Sequence, residues 1–202
     1  MKNNLPLAVL TALFLSVAPA LAHSPDHGAR PAPDAADLKS DSFVIGGPFS
    51  LLDQTGKRVT EADFKGKFML VFFGFTDCPD ICPTGLQTAA NALGEMKPAD
   101  VAQIQPIFIS VDPARDTPTV LAEYVPQFMP GLVGLTGTDK EIAAVAKAYR
   151  VYYSNSVGQD GEKLVDHSAF FYLMGKDGKF INAYAADTEF EKLAAAISKD
   201  LR

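Results

Sequence analysis

Phe68-Met69-Leu70-Val71-Phe72-Phe73-Gly74-Phe75-Thr76-Asp77-Cys78-Pro79-Asp80-Ile81-Cys82-Pro83 is the stretch on which the reading of this chain turns. Its first half, Phe68 to Phe75, is a near-continuous apolar run, the pattern of a strand buried on both faces. Its second half holds Cys78 and Cys82, the two cysteines of the chain. From Pro83 to Met96 the residues Leu86, Ala89, Ala90 and Leu93 recur on one helical face. A strand thus leads through a cysteine-bearing turn into a helix. Pro83 favours the first helical position and pushes Cys82 out of the α region, so Cys82 is expected as the N-cap. Pro79 sets the turn after Cys78. Both thiols then lie at the positive end of a helix dipole, which favours thiolate, the form that binds metal or attacks a disulfide. The C-x3-C spacing is one residue wider than a C-x-x-C redox turn, and it suits a soft metal ion at least as well as a redox disulfide. A structural disulfide is the plainer alternative, but closing so small a loop removes little unfolded-state entropy.

Working outward, the segments Phe43 to Leu52 and Arg58 to Thr60 flank the turn signal Asp53-Gln54-Thr55-Gly56 and predict a hairpin. Ile104 to Val111 predicts a second buried strand. Pro118 to Met129 predicts a helix capped by Thr117, with Pro118 at its first position. Leu132 to Leu135 reads as a short strand, and Asp139 to Tyr149 as a helix with Ile142, Val145 and Ala146 inward. Val151 to Tyr153 and Lys163 to Val165 suggest an inserted hairpin around Gly158-Gln159-Asp160-Gly161. Ala169 to Met174 and Phe180 to Tyr184 pair across Gly175-Lys176-Asp177-Gly178, and Thr188 to Leu201 closes the chain as a helix. This order predicts an α/β thioredoxin-like fold with an N-terminal β-hairpin and an inserted hairpin. Phe68, Phe72, Phe73 and Phe75 read as core.

The chain has 202 residues, of which 1–22 read as a secretory signal: a Lys2 start, an apolar stretch from Leu5 to Val17, and the small-x-small site Ala20-Leu21-Ala22. An uncleaved anchor facing the periplasm is the alternative. No cysteine follows the apolar stretch, which argues against a lipoprotein. Residues 23–41, rich in Pro, Ala and Asp, read as a flexible tether, and 42–202 as one domain large enough for a full core. Net charge is −6, and −7 once Lys2 leaves with the leader. An acidic chain with no basic run argues against nucleic acid and anionic membrane surfaces. The expected location is the periplasm.

Three histidines occur, and His23 and His27 fall in the tether. His167 stands in Val165-Asp166-His167-Ser168-Ala169, directly before a predicted strand. In thioredoxin-like folds that loop faces the cysteine turn. A lone histidine is commonly just a polar loop residue, but this one lies opposite two thiols. Cys78, Cys82 and His167 form a soft three-coordinate set that suits Cu(I), and Cu(II) with an added oxygen. A structural zinc site would want a fourth strong ligand, and the domain has no further Cys or His. Asp166 reads either as an acceptor that orients His167 or as a solvated loop acid. If cleavage follows Ala22, the new α-amino group and His23, with His27, can chelate a second Cu(II); a solvated tail is the plainer reading.

Gly74-Phe75-Thr76-Asp77-Cys78-Pro79-Asp80-Ile81-Cys82-Pro83-Thr84, Ser110-Val111-Asp112-Pro113-Ala114-Arg115-Asp116-Thr117-Pro118 and Val165-Asp166-His167-Ser168 together resemble the Sco/SenC family of copper-binding, thioredoxin-like proteins. The resemblance spans about residues 43 to 200. It implies copper held by Cys78, Cys82 and His167. It also implies delivery of copper to, or preparation of the thiols of, the binuclear copper site of cytochrome c oxidase. The implied partners are the oxidase's copper-site subunit or another copper client, a periplasmic copper donor and a thioredoxin-like reductant. Many members keep a membrane anchor, where this chain is expected to be cleaved. The segment from Asp112 to Pro118 has two readings: Asp116 and Thr117 as helix caps with Arg115 paired to a carboxylate, or a partner-facing surface beside the metal loop.

Two function classes follow. One is a copper chaperone without turnover; the other is a thiol–disulfide oxidoreductase using Cys78 and Cys82 on a partner's cysteines. His167 favours the carrier, since a reductase needs no third ligand. A peroxidase fits less well, because Thr76 lies two residues before Cys78 rather than three.

Overall fold

The computed structural model describes the backbone of residues 44–157, 163–167 and 169–202, and the side chains of these outside 154–167. The expected leader, the tether with His23 and His27, the turn Gly158-Gln159-Asp160-Gly161 and the side chains of Asp166 and His167 lie outside the described residues. In chain order the elements are β1 (Ser50–Asp53), β2 (Arg58–Thr60), β3 (Phe68–Gly74), α1 (Ile81–Glu95), α2 (Pro98–Val101), β4 (Ile104–Ser110), α3 (Pro118–Tyr124), β5 (Val133–Thr136), α4 (Asp139–Ala148), β6 (Tyr153–Val157), β7 (Lys163–His167), β8 (Phe170–Met174), β9 (Phe180–Ala185) and α5 (Phe190–Asp200). No helix among the described residues is long and apolar enough to cross a membrane.

Seven strands form one sheet in the order β2-β1-β5-β4-β3-β8-β9. β3 and β4 run parallel, and β8 runs antiparallel to β3. The architecture is thioredoxin-like, with β1–β2 as the expected N-terminal hairpin. β6 and β7 pair antiparallel as a separate two-stranded unit where the inserted hairpin is expected, with the first strand at Tyr153–Val157 rather than Val151 to Tyr153 and the second extended to His167.

Every residue of β3 is buried, as its unbroken apolar run requires. One face carries Phe72, packed against Phe171 at a ring-centroid distance of 4.9 Å and Phe108 at 6.5 Å. The other carries Phe73, which meets Tyr149 at 5.3 Å and Tyr172 at 6.0 Å. Each such aromatic contributes about 1.5–3 kcal/mol by burial. Gly85 on α1 lies so close over Phe72 that a Cβ there would meet the ring at 3.1 Å, which seats α1 on this face of the sheet. Phe68 and Phe75 are buried as well, so the four-phenylalanine cluster is core.

Several expected boundaries shift. The first strand begins at Ser50 rather than Phe43, because Gly46 at φ 86° breaks the extended path before it. The helix expected from Pro118 to Met129 stops at Tyr124 and tightens into a 3₁₀ turn over Val125–Gln127, where Pro126 lacks the N–H that would continue it. α2 was not anticipated. α4 starts on a capping box between Thr138 and Glu141, and Arg150 at φ 59° ends it in a left-handed cap. There the Val151 N–H bonds the Ala146 carbonyl at 2.8 Å and the Arg150 N–H the Lys147 carbonyl at 3.2 Å.

Candidate metal centre

The parallel register pairs Gly74 with Ser110, so the β3–α1 and β4–α3 loops leave the same edge of the sheet side by side. The first loop carries both cysteines, which are free thiols. Cys78 is half-buried and Cys82 is 0% exposed. The Cys82 sulfur lies against Gly74: a Cβ at Gly74 would meet it at 2.7 Å and Phe108 Cε2 at 2.8 Å. Only glycine leaves room for this sulfur in the core.

α1 begins at Ile81 with Asp80 as its N-cap residue, so Cys82 sits in the first turn and is not the N-cap. Pro83 occupies the third helical position rather than the first. It loses nothing there, since the first amides of a helix have no intrahelical acceptor. The Thr84 N–H donates to the Asp80 carbonyl at 3.1 Å, and the Thr84 hydroxyl to Asp80 Oδ1 at 3.2 Å, which fixes this earlier start. The Cys82 amide donates to Cys78 Sγ at 3.4 Å, so that sulfur does rest on the helix N-terminus. Cys82 does not gain the expected thiolate character. Burial pushes its thiol up; the Phe75 amide opposes this, while the neighbouring Cys78 and Asp116 add to it.

The second loop clamps the first. Asp116, fully buried, accepts the Thr76 N–H at 3.0 Å, the Thr76 hydroxyl at 2.5 Å and the Ser110 hydroxyl at 2.5 Å. The Ser110 oxygen in turn accepts the Asp112 N–H at 3.0 Å. Arg115 donates through Nε to the buried Asp112 and through Nη1 to Asp77 at 2.7 Å, and its guanidinium lies 5.8 Å from the Phe75 ring centroid. Arg115 therefore pairs with carboxylates as expected. Asp116 does not cap the helix; Thr117 alone does, its hydroxyl accepting from the Val120 N–H at 3.4 Å. Tyr124 stacks on Phe108 at 5.5 Å, with its hydroxyl buried and without a hydrogen-bond partner. Burial, then Cys82 and Cys78, push that phenol up.

His167 ends β7, paired with Tyr153, and so stands on a strand rather than in a loop. β8 starts three residues later and runs antiparallel to β3, with Phe171 opposite Phe72. The start of β8 therefore lies at the end of the sheet from which the cysteine loop leaves. This topology places His167 near that end by its backbone. Among the described residues, which do not include the His167 imidazole, no cluster of three His, Cys, Asp or Glu side chains that could hold a metal forms. Gly74 and the Thr76–Asp116–Ser110 linkage were not anticipated as site features. The signal that points to them is the pairing of two loops at one edge of a parallel strand pair.

The sequence profile of the SCO1/SenC family matches residues 38–202. The Arabidopsis thaliana protein named mitochondrial SCO1 homolog 1 is 46% identical over 159 residues, covering 79% of this chain and 48% of that protein. The chain thus spans about half the length of that relative. The crystal structure of Arabidopsis thaliana ScoI with copper bound superposes with a TM-score of 0.74 at 46% identity, covering 78% of this chain and 98% of that one. BsSco, described as a member of the Sco family of cytochrome c oxidase assembly proteins with a disulfide switch, superposes with a TM-score of 0.61 at 25% identity, covering 78% of this chain and 94% of that one.

Proposed function

This chain is a member of the SCO1/SenC family, and from that premise we propose that it is a copper carrier that binds the ion through Cys78, Cys82 and His167. The observation that carries the reading is the sulfur pair: two free thiols meet at the N-terminus of α1, one rooted in the core and one reaching the surface. Thiolates are soft donors that select Cu(I), and an imidazole completes a set that also holds Cu(II). Raised thiol protonation at Cys82 suits a carrier, since metal must displace that proton and release restores it. We assign residues 42–202 to the copper-binding domain, 23–41 to a tether and 1–22 to a leader cleaved after Ala22, with action in the periplasm. The cargo's destination in this reading is the copper-site subunit of cytochrome c oxidase.

A second reading, thiol–disulfide exchange on that subunit's cysteines, is favoured by the Cys82 N–H to Cys78 Sγ bond, which brings the two cysteines together. Genetic complementation separates the two. A deletion strain whose oxidase assembly recovers with added copper supports the carrier; recovery with thiol reductant but not copper supports the oxidoreductase. Anaerobic loading of the purified reduced protein tests the site itself: about one copper per chain, lost in both Cys78→Ser and Cys82→Ser. Full occupancy in both serine variants would overturn the ligand assignment.

A further inference from the structure

We infer that Asp116 is a positioning residue whose fixed negative charge sets the oxidation-state preference of copper held at the Cys78–Cys82 pair. The inference rests on the copper-carrier reading and deepens it.

The hydrogen bonds around Asp116 are those that a carboxylate accepts. The Ser110 oxygen accepts the Asp112 N–H, so its own proton is directed at Asp116 Oδ2, 2.5 Å away. The Thr76 N–H points at the same oxygen from 3.0 Å, and the Thr76 hydroxyl lies 2.5 Å from Oδ1. Donors thus converge on both oxygens of a side chain with no solvent exposure. Such a charge is expensive to bury unless these donors hold it, and once held it is neither screened nor free to move.

Its position relative to the sulfurs follows from the chain. Thr76, which Asp116 grips by main chain and side chain, is two residues before Cys78. The adjacent Phe75 amide is bonded to the Cys82 sulfur. Asp116 therefore holds the peptide next to the one that holds Cys82, and it sits within the same water-poor environment. A fixed negative charge there stabilises the more positive state of any ion between the sulfurs. It favours Cu(II) over Cu(I) and lowers the copper reduction potential. The metal-free dithiol–disulfide equilibrium involves no change of metal charge, so it is much less sensitive to it.

Asp116→Asn keeps the volume and removes the charge. Its copper potential, measured on the loaded protein by spectroelectrochemistry at the thiolate charge-transfer band, is expected to move about tenfold toward Cu(I), roughly 59 mV for one electron. Its metal-free dithiol–disulfide equilibrium against glutathione is expected to change by less than tenfold. Thr76→Val strips one donor from the carboxylate and leaves the charge less neutralised, so it should move the copper potential the opposite way. That variant decides the matter if Asp116→Asn does not fold. An unchanged copper potential with a lowered Tm, or equal shifts in both equilibria, would reduce Asp116 to a structural role and overturn the inference. Absence of the thiolate–copper band in the unsubstituted protein would instead overturn the carrier reading beneath it.

Discussion

The backbone N–H of Cys82 reaches the sulfur of Cys78 at 3.4 Å, so one cysteine's amide holds the other cysteine's thiol. The two sulfurs are nevertheless in different surroundings, since Cys78 is half-buried and Cys82 is fully buried against Gly74.

That difference predicts an order of reaction. A limiting amount of iodoacetamide added to the reduced, metal-free protein should label Cys78 alone, with Cys82 labelled only after denaturant. Peptide mass spectrometry reads the sites, and equal labelling of the two in the native state would contradict the burial of Cys82.

The buried thiol also makes stability depend on alkaline pH. The fold raises the Cys82 thiol above its ordinary value of 9.0, so below that pH its contribution is fully present. Above it the unfolded chain releases a proton the native chain keeps, and stability declines as pH rises. The half-buried Tyr124 and the buried Tyr149, Tyr172 and Tyr184, also raised, add to the decline above 10.0. Urea denaturation should therefore show a falling midpoint from pH 9.0 to 10.0 that flattens in Cys82→Ala. A slope unchanged by that substitution would rule out Cys82 as its source.

Gly74→Ala should be costly. Its Cβ would stand 2.7 Å from the Cys82 sulfur and 2.8 Å from Phe108, both packed in the core. Overpacking of this kind costs about 1–3 kcal/mol. Denaturation gives the loss, and copper stoichiometry should fall with it because the displaced atom is a proposed ligand.

Arg115 and Asp77 form one ion pair with unequal stakes. Asp77 is 72% exposed, so Asp77→Ala should change stability by roughly 0–1 kcal/mol. Arg115→Ala also removes a cation from the buried Asp112 and should cost about 1.5–3 kcal/mol, the scale of a hydrogen bond to a charged group. Equal losses in the two variants would show that the Asp112 contact contributes nothing.

His167→Ala should weaken Cu(II) more than Cu(I), since two thiolates alone can hold Cu(I) in linear geometry. Competition titrations with chelators specific for each oxidation state measure both affinities. An equal loss for the two ions would remove His167 from the proposed ligand set.

Much of the fold was legible because its signals are local. An unbroken apolar run from Phe68 marks a strand buried on both faces, and Thr117-Pro118 marks a helix start that the structure keeps. Where two local rules compete, the chain follows the one with the stronger local bonds. Pro83 suits a first helical position, but Asp80 and Thr84 bond to each other and start the helix earlier. The four-residue α2 is too short to show a period. Asp116 escaped for another reason: its partners Thr76 and Ser110 meet it only through the parallel pairing of β3 with β4, which no window of sequence contains.

The seating of Cys82 against Gly74 in the buried core gives the sulfur pair the mechanics of a vise. The Cys82 jaw is bolted to the interior and cannot yield without repacking the aromatic layer beneath it. The Cys78 jaw rides on the loop between strand and helix, on the solvent side. In the proposed carrier, grip and release would therefore fall to the Cys78 jaw, and a force applied at the Asp77–Pro79 stretch would act on that jaw without touching the sheet.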